Sequence, residues 1–179
     1  GKKKPFFTPG KECPGDRIIR YRRILLSPGQ QYLLSDHSQY FLLWRVADGR
    51  CLGRYEGDHA DFMKGTNRFI VSSNGTLNVY EEQTGQLVYT HFIAGENDYL
   101  VMDNQGRYDG TEAARKYLYF TCGKEIIELE SLKDQLWVPG LVSRIMQNET
   151  VQTKKLSELD LCGLSPLVEN KSTAASYSF

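Results

Sequence analysis

Three landmarks of this chain recur at a single spacing. Trp44 and Tyr80, Gly49 and Gly85, and Leu52 and Val88 each stand 36 residues apart. Each pair occupies the same place in a strand–turn–strand pattern. A fixed period of this size means supersecondary units that cannot bury their apolar faces alone and must stack on one another.

The strands that make the period are short and joined by tight turns. Apolar runs at 24–26, 32–35, 40–46 and 51–55 are separated by Ser27-Pro28-Gly29-Gln30, Asp36-His37-Ser38-Gln39 and Ala47-Asp48-Gly49-Arg50. Pro presets one turn dihedral, Gly permits a positive φ, and Asp-Gly is a strong hairpin signal. No helix fits between these runs. The pattern then repeats with strands at 69–72, 76–80 and 87–92, separated by Ser73-Asn74-Gly75 and by the turn Glu81-Glu82-Gln83-Thr84-Gly85-Gln86. Asn74-Gly75-Thr76 is a glycosylation sequon only in a eukaryotic secretory route, and Asn-Gly reads better as a hairpin turn.

The stretch 98–110 is where the repeat changes character. Tyr99 to Met102 reads as a strand, Asp103-Asn104-Gln105-Gly106 as a hairpin turn with Gly106 at the positive-φ position, and Asp109-Gly110 as a second turn. Asp103 and Asp109 are expected to brace those turns by accepting backbone N–H bonds, as Asp does in such places. The loop at Asp103 lacks the third acid and the terminal Glu of an EF-hand. Beyond it come about one and a half helical turns at 111–116, strands at 117–121 and 125–129, and two short helices separated by Pro139-Gly140. Ser131 suits the first N-cap, Pro139 ends that helix, and Leu141, Val142, Ile145 and Met146 form the apolar face of the second. Residues 1–17 read as a flexible leader, 18–147 as the β repeats with their closing helices, and 148–179 as a linker and tail. Leu156, Leu159, Leu161 and Leu164 are candidates to dock.

Charge and chemistry narrow the function. Lys plus Arg and Asp plus Glu number 22 each, so the basic surplus that phosphate binding needs is missing and nucleic acid is not expected as a partner. The apolar runs are too short to span a membrane. His37, His59 and His91 have no metal-ligand spacing, so no metal or cofactor is expected, and no catalytic residue is assigned. Cys13, Cys51, Cys122 and Cys162 form no Cys-x-x-Cys pair and read as free thiols, with two bridges as the alternative in a secreted protein. No signal peptide opens the sequence, which slightly favours the cytoplasm. The chain begins at Gly1 rather than Met, which reads as a trimmed start from which a leader or upstream domains could have been cut away.

Here the residues resemble a known family. Leu43-Trp44-Arg45-Val46-Ala47-Asp48-Gly49 resembles the strand and turn of a WD40 β-propeller blade, and Gly57-Asp58-His59 the Gly-His that opens the next. Tyr80-Glu81-Glu82-Gln83-Thr84-Gly85 is similar to a degenerate copy. Arg45 and Glu81 stand where the family carries Asp. The stretch from Asp98 to Thr111, followed by Tyr117-Leu118-Tyr119-Phe120 and Val138-Pro139-Gly140-Leu141, resembles the end of the propeller in bacterial WD40 proteins that also carry a caspase-like peptidase domain.

The resemblance implies a mainly β fold of WD40-like, propeller-type antiparallel blades with two short C-terminal helices. It implies a non-catalytic interaction or scaffold module within a larger multidomain protein, contacting a protein partner or an adjacent domain. The alternative is a carbohydrate- or small-ligand-binding β domain, since a Tyr-rich rim suits sugars. Two repeats and a modified third are too few for a ring of about four to eight blades, so oligomerisation is one expected route to completing it.

Overall fold

A computed structural model describes residues 21–163. The fold is mainly β, with antiparallel sheets and a few short helices. Among the described residues the sheets do not close into a barrel or a propeller. The first sheet has four strands in chain order: β1 (Arg23–Leu26), β2 (Tyr32–Asp36), β3 (Tyr40–Arg45) and β4 (Cys51–Glu56). The second has six: β5 (His59–Met63), β6 (Arg68–Ser73), β7 (Thr76–Glu81), β8 (Leu87–Ile93), β9 (Tyr99–Asp103) and β10 (Tyr108–Gly110). β4 and β5 follow one another in sequence but belong to different sheets, so the chain steps from one layer to the next at Gly57-Asp58.

The 36-residue period extends to the backbone. The first residues of β1 to β4 and of β5 to β8 differ by 36 in all four pairs. Each unit has one register shift between its third and fourth strands, at Leu43/Trp44 and at Val79/Tyr80. Turn bonds repeat too: Val46 N donates to Gln31 O and Glu82 N to Asn67 O, while Gly49 N donates to Arg45 O and Gly85 N to Glu81 O. Gly49 and Gly85 share a positive φ, of 68° and 69°. That conformation is cheap only for Gly. At the Asn74-Gly75 hairpin both residues have positive φ, as a two-residue primed turn requires.

The two sheets stack in the same orientation. Leu34, Phe41, Leu43 and Tyr55 of the first meet Ala60, Phe62, Phe69 and Val71 of the second, with Tyr80 packed alongside. The equivalents of Phe69, Val71 and Tyr80 in the first unit are Leu33, Ser35 and Trp44, and Leu33 and Trp44 pack in a separate cluster. The back of the first sheet therefore receives the front of the second, the arrangement of a repeat stack rather than of two mirrored sheets.

The third unit breaks the series. β9 pairs with β8, so the β9–β10 hairpin lengthens the second sheet instead of opening a third layer. Its missing half is replaced by α1 (Glu112–Arg115), the small hairpin of β11 (Tyr119–Cys122) and β12 (Glu125–Glu128), α2 (Lys133–Leu136) and α3 (Leu141–Met146). Leu129, Leu132 and Leu136 pack on Leu100 and Tyr108, while Val138 and Leu141 cover Val79, Tyr89 and Val101. Among the described residues no third layer forms, because Val138 and α3 cover the face of the second sheet where a further sheet would pack.

Residues 148–163 are not a free linker. Arg107 donates to Val151 O at 3.2 Å, Leu156 N to Gln105 O at 2.8 Å, and Leu156, Leu159 and Leu161 pack against the second cluster. The reading of free thiols is corrected here: Cys122 and Cys162 form a disulfide with a Cα separation of 5.5 Å, and Cys51 is disulfide-bonded as well. Sequence spacing gave no hint, because the return of residues 151–162 across β9–β10 creates the proximity. Cys13, the 1–17 leader and residues 164–179 lie outside the described residues.

Candidate functional site

The turn residues singled out in the sequence divide between the two ends of the stack and its interior. Trp44 is buried in β3, and its indole N–H donates to Ser35 Oγ at 2.9 Å, which lies 3.0 Å from His37 Nε2. Asp48 is held by the Arg45 guanidinium and accepts Arg50 N at 3.2 Å. Its carboxyl lies well below the usual range, at about 2, chiefly through the Arg45 hydrogen bond. Tyr55 Oη donates to Gly85 O at 2.9 Å, so the Gly85 turn is tied to the first sheet.

The 98–110 stretch is a structural junction. The Asp103 carboxylate accepts Gln105 N and Arg107 N, both at 2.9 Å, and Arg107 Nε at 2.7 Å. Those acceptor sites are spent on its own loop, which Gly106 turns with φ 81°. Asp109 accepts Gly110 N and, 31 residues away, Gly140 N, each at 2.9 Å. It thereby joins β10 to the start of α3, where Gly140 has φ 70° next to exposed Pro139. Gly110 is not a turn residue. It ends β10, where a Cβ would sit 2.7 Å from Tyr99 O, so close packing and not positive φ demands Gly there. Tyr108 Oη donates to Leu129 O at 2.6 Å, and burial, with Glu130 adding, pushes the phenol up to about 12.

One hollow lies at the end of the stack that carries the β6–β7 turn and the β8–β9 connection. About 530 Å³ in volume, it is lined by Phe92, Ile93, Leu100, Tyr117 and Leu118 together with Asn74, Gly75 and Thr76. Its walls come from the second sheet and from the segment that follows α1. Ile93 is 59% exposed and Tyr117 71%. Tyr99, Tyr119 and Ile126 are further exposed apolar side chains of the same half of the molecule. No lining side chain except the Tyr117 phenol is ionisable, so the hollow offers shape and apolar surface but no acid, base or nucleophile.

No family model matches the chain, and neither does any curated protein. Among solved structures it is similar to "Structure of U3-55K", at 24% identity and a TM-score of 0.33. That match covers 43% of this chain and 25% of the other, so this chain spans about a quarter of the protein it matches. A likeness at that level carries no argument about fold or function.

At the opposite end of the stack a second, polar hollow of about 220 Å³ is lined by Gln31 and Tyr32 from the first sheet and Asn67, Glu81, Glu82 and Gln83 from the second. Among the described residues no three His, Cys, Asp or Glu side chains converge on a common point. His37 belongs to the Trp44 chain, His59 Nδ1 lies 3.2 Å from an Arg23 guanidinium nitrogen, and His91 meets the Tyr99 ring edge-on. Neither hollow was picked out by sequence motifs. Phe92, Ile93 and Tyr117 read as ordinary strand residues, and Glu82 as part of a turn. One sequence signal did exist for Glu82: its partner at the 36-residue spacing is Val46.

Proposed function

We propose that this chain is a non-catalytic interaction module built from WD40-like repeats, acting within a larger protein of the WD40/caspase-like kind. In this reading the apolar hollow takes a branched or aromatic side chain from a protein partner or an adjacent domain. The observation that carries it is the hollow itself: a pocket with no ionisable wall except a phenol, flanked by the exposed side chains of Ile93 and Tyr117. The repeat reading draws support from the 36-residue register, the same-orientation stacking and the Trp44–Ser35–His37 hydrogen-bond chain. The disulfide-bonded cysteines favour an oxidising compartment over the cytoplasm.

Selection of displayed peptides against the full chain tests the proposal. Enriched peptides should carry an aromatic or branched anchor, and their binding should be lost on Ile93→Asp or Tyr117→Ser while both variants melt like the parent. A second reading, a carbohydrate-binding β domain, is favoured by the exposed rings of Tyr99, Tyr117 and Tyr119. Binding on a glycan array that is lost in Tyr117→Ser, with no peptide enriched, would replace the first reading with the second.

A further inference from the structure

The polar hollow between the sheets contains a carboxyl group that the fold does not explain. Glu82 is only 6% exposed, and its Oε1 is buried without a hydrogen-bond partner. Leaving a carboxylate in that state is costly, because desolvation is not repaid by any donor. The repeat provides an internal control. Val46 occupies the same position in the first unit, and its N–H bonds Gln31 O as the N–H of Glu82 bonds Asn67 O. The turn therefore forms with an apolar side chain at this position, and the carboxyl group adds nothing to the backbone geometry.

The surroundings are oxygen-rich. Glu81 lines the same hollow, and its nearest cation is the Arg68 guanidinium, 3.8 Å from Oε2. Arg68 also donates to Ile145 O at 3.2 Å, so it is shared with α3. Gln31, Asn67 and Gln83 bring side-chain amides, and Tyr32 a phenol. Burial, reinforced by Glu81, pushes the Glu82 carboxyl up to about 7. A nearby positive charge would reverse that.

We propose that Glu82 and Glu81, with amide oxygens from Gln31, Asn67 and Gln83, bind a divalent cation of the calcium type where the two repeat units meet. Hard cations of this class take six to eight oxygen ligands, carboxylates and amide carbonyls mixed with water. Two carboxylates with neutral oxygens suit that chemistry, and a thiolate- or imidazole-seeking metal finds no ligand here. Because the donors come from both sheets, the ion would clamp the first unit to the second. This inference concerns the end of the stack opposite the apolar hollow and does not rest on the proposed partner.

Calcium titration of the full chain at pH 7.5, by calorimetry and by thermal melting, tests it. Terbium serves as a luminescent probe excited through Tyr32. One ion should bind per chain and raise the melting temperature, and calcium should quench the terbium signal. Glu82→Val installs the residue of the sister repeat, and Glu82→Gln is the isosteric control. Either should stay folded and bind at least as much more weakly as the roughly 10–100-fold loss typical of a metal's outer partners. No calcium response in the parent, or a response in both variants as strong as the parent's, would overturn the proposal.

Discussion

Replacing Asp103 with Ala attacks the junction where the repeat ends. The carboxylate is 2% exposed and the Arg107 side chain 12%. Truncation removes the acceptor of the Gln105 and Arg107 backbone N–H groups, at about 1 kcal/mol each. It also strands a largely buried guanidinium, which brings the total to about 3–5 kcal/mol, the range for breaking one side of a buried pair. For a chain of this size about 1 kcal/mol moves the melting temperature by 2–4 °C, so a fall of roughly 6–20 °C is expected. The loss should also be local. Arg107 holds Val151 O, and Gln105 O holds Leu156 N, so the returning segment should loosen with the turn. Circular-dichroism melts together with hydrogen exchange at the Leu156 amide give both readouts. Asp103→Asn keeps one acceptor oxygen and should lose less. An Asp103→Ala protein that melts within about 2 °C of the parent, with Leu156 still protected, would refute the reasoning.

Three other perturbations follow from the same structure. Gly110→Val places a Cβ 2.7 Å from Tyr99 O and 3.1 Å from Leu100 Cα; since backbone cannot yield cheaply, a loss of about 1–3 kcal/mol or more is expected, and an unchanged melt would count against it. Cys122→Ser opens a crosslink between residues 40 apart. It should lower stability by about 2–4 kcal/mol, read as a shifted urea midpoint, and an unshifted midpoint would contradict a structural role for the bridge. In metal-free buffer, Glu82 holds its proton up to about pH 7 in the folded chain, against a usual 4.5, through burial and the neighbouring Glu81, whose own cation partner is Arg68. The folded state thus binds more protons than the unfolded state between those values, and stability should fall as pH rises through that window and level off above it. Glu82→Gln should flatten this slope; equal slopes in parent and variant would show that another group causes it.

The turn chemistry was legible residue by residue. Asn74-Gly75, Gly49, Gly85 and Gly106 stand where the chain needs positive φ, and local sterics are a property of the residue itself. The 36-residue period was legible for the same reason: three landmarks sufficed because each unit reuses one pattern of turns and alternation. The short helices showed through Pro139 and the spacing of the apolar residues after it. Which strands share a sheet was not legible. The Gly57-Asp58 step begins a new layer while the 94–98 connection does not, and both look like loops. That choice depends on what covers the far face of the second sheet, and Val138 and Leu141 cover it, while the Leu129–Leu136 region packs on the other face at Leu100 and Tyr108. Gly110 was correctly marked as a position of constraint but for a different cause, a close approach across β9 and β10 that no local signal carries. The Cys122–Cys162 bridge and the two hollows came only from tertiary structure, because each joins residues from distant segments. Sequence determined the units, through torsional preference and period. Tertiary packing decided how many of them stack, where the stack is capped, and which side chains meet at its ends.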